Sequence, residues 1–404
     1  MHWWHPRPHH RDDGIKTRFS DDPFWLIFAC GEYYRITKNQ DFFEKKVAYL
    51  EGTPLSSSEK DRYFAPEKSE ISETVYLHSI RALRYGLKYG IHNLILMGSG
   101  DWNDGMNGVE AGAETVWGSM FAVLSLESFL PLASKIGTKE ECEEITVAID
   151  ILRNSLEQYA FTNNRFVRGF RNDSTPFGGV DFLDLLPQAF AAFCQLEKEK
   201  TEIALSTAYD LLWDKENKII KLLNPPYSRQ EDGFPGSIAD YPPGVRENGG
   251  QYTHGGVWFA KALLEQGRRE EGYEILCGIN PLSHNKTPKD SRQYGGEPYV
   301  IAADVYSLSG REGYAGWTHY TGAAGWYLKT VTESLLGIRK DGDFVSIQPN
   351  IPKDWNGYKA TVTMEDDILE IFVERGTEVG IFEKNRKIPM VKLNGTTHKI
   401  TVIV

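Results

Sequence analysis

Residues 97–107 form the stretch Met97-Gly98-Ser99-Gly100-Asp101-Trp102-Asn103-Asp104-Gly105-Met106-Asn107, which follows an apolar run beginning at Leu94. Its glycines permit sharp turns and a close approach of the backbone to a ligand. Trp102 offers a flat apolar face on which a sugar ring can stack. Asp101 and Asp104 can act as a general acid and its hydrogen-bonded supporter. The stretch therefore predicts a carbohydrate site at the mouth of a helical barrel, or else a helix cap with Trp102 in the core.

The overall composition is that of a globular chain with an excess of acidic residues. The 404 residues suffice for a large core and a second small domain, and 41% of them are hydrophobic. The formal net charge of −11 argues against nucleic-acid and anionic-membrane partners. The four cysteines lack metal-ligand spacing, so we interpret them as reduced core residues of a cytoplasmic protein. We find no apolar run of about 18 residues and expect no transmembrane helix.

Residues 1–20 are predicted to be a loop at the rim of a site. Its histidines have no acidic or sulfur partners on rigid elements, so we predict no metal there; they are His2, His5, His9 and His10. Arg18 and Asp22 flank the start of a helix predicted from Pro23 to Tyr34. A helix start is a common place for a binding site, although capping with a surface ion pair is the alternative.

Apolar spacings of three and four residues predict many consecutive helices. Beyond the first, they lie at about 41–51, 72–89, 114–136, 139–161, 181–195, 197–214, 253–267, 269–278 and 322–336. Helices in this order, joined by long loops rich in glycine and aromatic residues, indicate a mainly α fold of paired helices around a ring. In such an (α/α) barrel the loops carry the site.

The pattern changes from helix to strand near residue 340. Alternating or apolar runs of strand length are punctuated by glycines, and Asn394-Gly395 is a hairpin signal. We therefore predict a helical domain over 1–338 and a small antiparallel β domain over 339–404. Residues 391–404 are predicted to form its closing hairpin.

A second polar stretch, 241–254, leads directly into an apolar helix; it is Tyr241-Pro242-Pro243-Gly244-Val245-Arg246-Glu247-Asn248-Gly249-Gly250-Gln251-Tyr252-Thr253-His254. Arg246 and His254 can bind an anion near the helix start, where backbone N–H groups add to the field. Glu247 can accept a hydrogen bond from a sugar hydroxyl. A capping histidine with an Arg–Glu surface pair is the alternative.

A third stretch, 316–326, contains Thr321 and Gly322 at the start of another predicted helix. A hydroxyl and backbone N–H groups at such a position can cradle an anion. A threonine cap with small residues for close helix packing is the alternative. Three loops that each end at a helix start are harder to explain as three independent caps.

Together these stretches resemble glycoside hydrolase family 94, the inverting phosphorylases that include cellobiose and chitobiose phosphorylases. The resemblance is strongest to the phosphorylase-type module of cyclic β-1,2-glucan synthases and to 1,2-β-oligoglucan phosphorylases. It extends over nearly the whole chain, and is carried by residues 2–6, 17–22, 100–107, 241–254, 297–300 and 320–322.

The resemblance implies an (α/α)6 barrel followed by a short β domain, and it implies a role for each site residue. Asp104 would be the general acid. The sugar would be bound by Arg18, Asp22, Trp102, Tyr241 and Glu247. Phosphate would be bound by His254, Thr321 and Gly322.

The chain departs from the family pattern in two places. Family members carry a β-sandwich domain before the barrel, whereas this chain begins at or just inside the barrel and can lack its first helix. Cellobiose phosphorylase also has a phosphate-binding glutamine after the segment equivalent to 297–300. Here the segment continues as Ala302-Ala303-Asp304, and an aspartate would repel phosphate.

The expected reaction is phosphorolysis of a β-linked gluco-oligosaccharide with inversion, using inorganic phosphate as co-substrate and no cofactor. Asp104 would be kept protonated by burial against Trp102 and by the charge of Asp101. Phosphate would be held by His254, by Arg246 or Arg18, and by Thr321. An inverting hydrolase with Glu247 or Asp304 as base, and an inactive carbohydrate-binding fragment, are the alternatives. A homodimer is possible by analogy.

Overall fold

The computed structural model describes residues 14–179, 181–229, 235–319 and 321–404. The four N-terminal histidines discussed above therefore lie outside the described residues. The helices are α1 (Asp22–Thr37), α2 (Asp41–Glu44), α3 (Val75–Gly86), α4 (Val116–Ile136), α5 (Lys139–Tyr159), α6 (Leu185–Phe193), α7 (Lys198–Leu212), α8 (Thr253–Glu265), α9 (Arg269–Ile279), α10 (Pro288–Tyr294) and α11 (Thr321–Lys329), which continues into a π-helical turn (Thr330–Leu335).

Short strands lie between the helices, and longer ones follow them. Those before residue 337 are β1 (Gly14–Thr17), β2 (Lys46–Glu51), β3 (Asp61–Phe64), β4 (Glu67–Thr74), β5 (Ile95–Leu96), β6 (Glu114–Thr115), β7 (Phe161–Thr162), β8 (Arg165–Phe166), β9 (Gly169–Phe170), β10 (Leu183–Asp184), β11 (Trp213–Asp214), β12 (Ile219–Ile220), β13 (Leu223–Asn224), β14 (Gln251–Tyr252) and β15 (Asp304–Val305). Those after it are β16 (Ile338–Asp341), β17 (Phe344–Ile347), β18 (Gly357–Met364), β19 (Asp367–Glu374), β20 (Gly380–Glu383), β21 (Arg386–Ile388), β22 (Val391–Lys392) and β23 (Thr397–Ile403).

The helices pack in a ring-like succession, which agrees with the mainly α prediction. Helix α1 packs against α4, α4 against α6, α6 against α8, and α8 against α11. Phe28 of α1 then stacks 6.3 Å from Trp326 of α11, measured between ring centroids. Helices α3, α5, α7 and α9 pack on α1, α4, α6 and α8 as a second layer. Buried apolar side chains of both layers form one continuous core.

One predicted helix is wrong over most of its length. Of residues 41–51 only Asp41–Glu44 is helical, and Lys46–Glu51 is a strand that pairs antiparallel with Glu67–Thr74. The next helix accordingly begins at Val75, after the Thr74 side chain that caps it. Apolar spacing could not reveal this hairpin, because its strands expose most of their side chains and are stabilised by pairing with a distant segment.

The C-terminal strands form two sheets around a second, smaller apolar core. The predicted closing hairpin is wrong, because Val391–Lys392 pairs with β17 whereas Thr397–Ile403 lies parallel to β19 and antiparallel to β20. The sheet is therefore mixed rather than antiparallel. Asp367 explains the path of the chain, since its carboxylate accepts hydrogen bonds from the backbone N–H groups of residues 394, 395 and 396.

One helix of the described residues, α4, is a candidate to span a membrane by length and composition only. By length and composition Val116–Ile136 is apolar enough to do so, and 72% of its most apolar window is buried inside the fold. A helix buried to this extent has the character of a core helix. The predicted core position is confirmed for Cys30 and Cys194, which are buried, whereas Cys142 is half-buried and Cys277 is exposed.

Candidate active site

The loops before α1 and α4 are adjacent. The backbone N–H of Ser20 donates to the carbonyl of Gly100 at 3.0 Å, and that of Ser99 donates to the carbonyl of Arg18 at 3.2 Å. Gly98 has φ +66°, and a Cβ there would lie 2.0 Å from the Arg18 carbonyl oxygen. A glycine is therefore needed at residue 98 for the two loops to meet.

The loops before α4, α8 and α11 are also joined to one another. The N–H of Ile238 donates to the carbonyl of Gly105 at 2.8 Å, and the N–H of Thr253 donates to the carbonyl of Ala303 at 2.9 Å. Strands β14 and β15 pair antiparallel just before α8. The three stretches singled out in the sequence thus lie side by side at the starts of ring helices.

Trp102 and His254 are in direct contact. The indole N–H of Trp102 donates to Nδ1 of His254 at 3.3 Å. Trp258 lies against the imidazole, with ring centroids 4.1 Å apart. Burial lowers the pKa of His254 to about 3, so the ring is neutral at ordinary pH. Because Nδ1 accepts a hydrogen bond, the proton of the neutral ring is on Nε2.

Nε2 of His254 is buried and has no hydrogen-bond partner among the described residues. The start of α11 lies beside the same ring, since a Cβ added at Gly322 would be 4.0 Å from Nδ1. His254 and Gly322 were predicted to lie together, and the structure brings them together. The arrangement places the ring of a histidine next to the first residues of a helix, where backbone N–H groups are unpaired within the helix.

Tyr241 is surrounded by charged groups. Burial raises its pKa, and the carboxylates of Glu247, Asp104 and Asp304 raise it further against the opposing charge of Arg246. The charge of Asp104 also contributes to the raised pKa of Glu247, for which burial is the main cause. The structure thus brings Asp104, Tyr241 and Glu247 together, as the sequence predicted.

Arg246 is held by aromatic rings and by its neighbour. Its guanidinium carbon lies 4.7 Å from the centroid of the Trp317 ring and 5.2 Å from that of the Tyr241 ring. Its Nε is 3.3 Å from a carboxylate oxygen of Glu247, which is only 6% exposed. The Arg–Glu pair predicted as a surface alternative is therefore half-buried and belongs to the site.

Asp101 and Asp104 have different environments from those expected. Asp104 is exposed, so the predicted burial against Trp102 is wrong. Asp101 is buried and accepts hydrogen bonds from Arg168, from Thr115 and from the N–H of Asn103, at 2.5, 2.7 and 3.0 Å. The charge of Asp101 is thus compensated by Arg168. Its hydrogen bonds stabilise the turn 101–104, and none of these three is made with the carboxyl group of Asp104.

Arg18 and Asp22 have local partners. The Arg18 guanidinium donates to the carbonyls of Glu59 and Ser56 at 3.0 and 2.7 Å. Asp22 accepts a hydrogen bond from the Thr17 hydroxyl at 3.0 Å. Their predicted sugar contacts therefore stay predictions, as does that of the Thr321 side chain with phosphate.

Three polar or aromatic groups of this region were given no role in the sequence; they are Asp21, Arg168 and Trp317, which is 51% exposed. Asp304, considered there only as a hydrolase base and as a group that repels phosphate, lies near Tyr241. Asp304 is buried, its Oδ1 accepts from the N–H of Trp317 at 3.0 Å, and its Oδ2 has no partner among the described residues. The only sequence signal for Trp317 was its place in the third stretch, and Arg168 gave none.

A cavity of about 670 Å³ is lined in part by Trp258 and Trp326, whose indole rings also contact His254. Paired charges such as Glu32 and Lys329 line its rim. Asp104, Tyr241 and Glu247 do not line it. The loop cluster, rather than this cavity, therefore gathers the residues selected in the sequence.

Comparison with known proteins agrees with this arrangement. Residues 2–337 match the profile of the glycosyl hydrolase 94 superfamily catalytic domain. The cyclic β-(1,2)-glucan synthase NdvB of Rhizobium meliloti is 36% identical over 407 residues, which are 99% of this chain and 14% of that protein. The 1,2-β-oligoglucan phosphorylase of Listeria innocua is 20% identical over 91% of this chain and 35% of its own length.

Other matches are more distant. The N,N'-diacetylchitobiose phosphorylase of Vibrio proteolyticus is 25% identical over 96% of this chain and 46% of its own length. Among solved structures, the family 78 rhamnosidase of Bacillus sp. GL1 aligns with a TM-score of 0.56 at 14% identity, over 96% of this chain and 34% of that one, a likeness of fold alone. The chain spans less than half the length of each of these relatives. It belongs to the glycosyl hydrolase 94 superfamily.

Proposed function

We propose that this chain is an inverting glycoside phosphorylase module built on an (α/α)6 barrel. Its substrate is a β-linked gluco-oligosaccharide, which it cleaves with inorganic phosphate to release α-glucose 1-phosphate. The succession of ring helices and the family membership support the barrel. The names of two relatives, a cyclic β-(1,2)-glucan synthase and a 1,2-β-oligoglucan phosphorylase, favour a β-1,2 linkage.

The observation that carries the proposal is the neutral His254 beside the start of α11. An anion needs donors, and it is repelled by carboxylates. Nε2–H of His254 is a buried donor without a partner among the described residues, and burial alone lowers the pKa of this ring. A phosphate oxygen placed between Nε2 and the first backbone N–H groups of α11, at Thr321 and Gly322, would satisfy both.

The reaction is a single displacement. A phosphate oxygen forms a bond to the anomeric carbon while the bond from that carbon to the glycosidic oxygen breaks. Asp104 gives its proton to the leaving oxygen, which becomes a sugar hydroxyl. Tyr241 and Glu247, with Trp102, Asp22 and Arg18, orient the glucosyl unit. One carboxyl group suffices, because phosphate is already a nucleophile, whereas water needs a second carboxylate as base.

Asp304 favours the hydrolase as the second candidate. Its Oδ2 is without a partner among the described residues and lies in the region of Tyr241, where a base would activate water. Burial raises the pKa of Asp304, and a raised pKa makes a carboxylate a stronger base while it is ionised.

The test is a screen of β-1,2-, β-1,3- and β-1,4-linked gluco-oligosaccharides, each with and without inorganic phosphate. We expect sugar 1-phosphate to form only when phosphate is present, with the β-1,2 series turned over fastest. Release of free glucose at the same rate without phosphate would instead establish the hydrolase. Binding without turnover under both conditions would identify an inactive carbohydrate-binding fragment.

A further inference from the structure

Arg168 is a fully buried guanidinium at the centre of a polar cluster below the loop of Asp104. It donates to Oδ1 of Asp101 at 2.5 Å and to the hydroxyl of Thr115 at 3.1 Å. Its Nε lies 3.3 Å from Oδ2 of Asp184. All three charged side chains of the cluster are at most 1% exposed. Such a cluster is costly to bury, and its contact between Nε and Oδ2 is an ion pair in which neither atom has a hydrogen-bond partner among the described residues.

Each partner of Arg168 in turn holds a piece of backbone. Asp101 accepts from the N–H of Asn103 at 3.0 Å. Thr115 accepts from the N–H of Gly118 at 2.9 Å and caps α4, and Asp184 accepts from the N–H of Leu186 at 2.9 Å and caps α6. One guanidinium thus connects two helix starts to the turn that carries Asp104.

The contacts of Arg168 depend on the planar arrangement of the N–H donors in its guanidinium group. The guanidinium donates to Asp101 and Thr115 from two of its nitrogens and forms an ion pair with Asp184 through the third, whereas a lysine ammonium on its flexible stem lacks such a fixed plane of donors. Packing alone would not require it, because an apolar group of similar volume often replaces a buried ion pair without loss of stability.

We propose that Arg168 is a positioning residue for the general acid. It fixes Asp101, and through the turn 101–104 it directs the carboxyl group of Asp104 towards the glycosidic oxygen. The argument rests on the role of Asp104 under the proposed function. Arg168 itself does not touch the substrate.

The test compares two substrates whose leaving groups differ in their need for a proton from the general acid. Turnover of a gluco-oligosaccharide needs proton donation, whereas a 2,4-dinitrophenyl β-glucoside releases a stable anion without it. We expect Arg168→Lys to lower kcat for the oligosaccharide by about 10²-fold, the scale of a misplaced general acid. The KM for phosphate should change by less than about threefold, as should turnover of the dinitrophenyl glucoside, because an acid is not needed there.

Arg165→Lys is the matched control, because within the described part of the chain this half-buried arginine, three residues away, donates only to backbone carbonyls. It should leave both substrates unaffected. Equal losses on both substrates for Arg168→Lys would show a merely structural role, and no loss on either would show no role. Both results overturn the proposal.

If Arg168→Lys does not fold, a second variant tests the same proposal. Asp101→Asn keeps an acceptor for the Asn103 N–H and should reproduce the selective loss on the oligosaccharide. If it affects both substrates equally, the proposal is wrong. The proposed function is tested separately. If the wild-type protein acts without phosphate, the rates of hydrolysis of the oligosaccharide and of the dinitrophenyl glucoside are compared instead, because hydrolysis of the oligosaccharide also requires an acid. Wild type without turnover of either substrate overturns both proposals.

Discussion

The two sides of the candidate site differ in charge. Around Tyr241 there are three carboxylates, from Asp104, Glu247 and Asp304, and one guanidinium from Arg246. Around His254 there are indole rings and the start of α11, and burial alone accounts for the low pKa of the imidazole. The side that would hold a neutral sugar is thus charged, and the side that would hold an anion is uncharged.

This difference has a physical reason. Carboxylates accept hydrogen bonds from sugar hydroxyls, and no net charge of the sugar opposes them. Phosphate would be repelled by three carboxylates in a partly dehydrated site, so uncharged donors favour its binding on the side of His254. A neutral N–H donor and a helix start can hold an anion without the cost of burying an unpaired cation.

The largest expected effect comes from the charged side. Asp104→Asn should lower phosphorolysis of an oligosaccharide by about 10²- to 10⁴-fold, because it removes the acid. The fold should be preserved, since the side chain is exposed. The measurement is the rate of sugar 1-phosphate formation, with thermal unfolding as a check. Glu110→Gln, an exposed carboxylate in the same loop, is the control, and retained activity in Asp104→Asn would refute the assignment.

The next effect comes from the uncharged side. His254→Phe should raise the KM for phosphate roughly 10- to 100-fold, the scale of one lost hydrogen bond to a charged group. The KM for the sugar should change little. His254→Gln retains an amide donor and should recover part of the loss. Equal changes in both KM values would show that the two sides are not separate.

Stability should depend on pH through Asp21. Burial raises its pKa to about 8, and the charges of Asp101 and Asp22 add to the effect. The folded protein therefore holds a proton that the unfolded chain releases above about pH 4. This contribution to stability is full below pH 4 and is lost as the pH rises towards 8.

Asp21→Asn removes this loss while keeping an acceptor for the indole N–H of Trp25, which donates to Asp21 at 2.8 Å. Its free energy of unfolding should exceed that of wild type at pH 7 by about 1 kcal/mol or more, since one pKa unit corresponds to about 1.4 kcal/mol. Urea unfolding at pH 5 and pH 8 measures the difference, which should grow with pH. A difference that does not change with pH would contradict the assignment.

The smallest expected effect is on the inhibition constant for sulfate, which should barely change with pH. Sulfate, which does not change charge between pH 5 and pH 8, should compete with phosphate. Because the pKa of His254 is about 3, the inhibition constant for sulfate should vary by less than about threefold over this range. Tightening of sulfate binding below pH 6.5 would show that a histidine becomes charged in the anion site, and would remove the contrast between the two sides.

The sequence predicted much of the local structure of the site. Apolar spacing located the ring helices, and the three polar stretches were correctly placed at the starts of helices such as α8 and α11. Local interactions explain this success, because capping residues and glycines act on their near neighbours. The hairpin of β2 and β4 was missed because its pairing joins segments about 20 residues apart.

By itself, the sequence determined the family, the helical character and the identity of the loop residues that meet at the site. Only the tertiary structure revealed that Asp101 is bound by Arg168, which is 67 residues away, and that His254 is neutral behind Trp102 and Trp258. It also revealed that three carboxylates raise the pKa of Tyr241, whereas burial alone lowers that of His254. Burial and charge compensation depend on groups that are distant along the chain, so neither motif nor periodicity contains them.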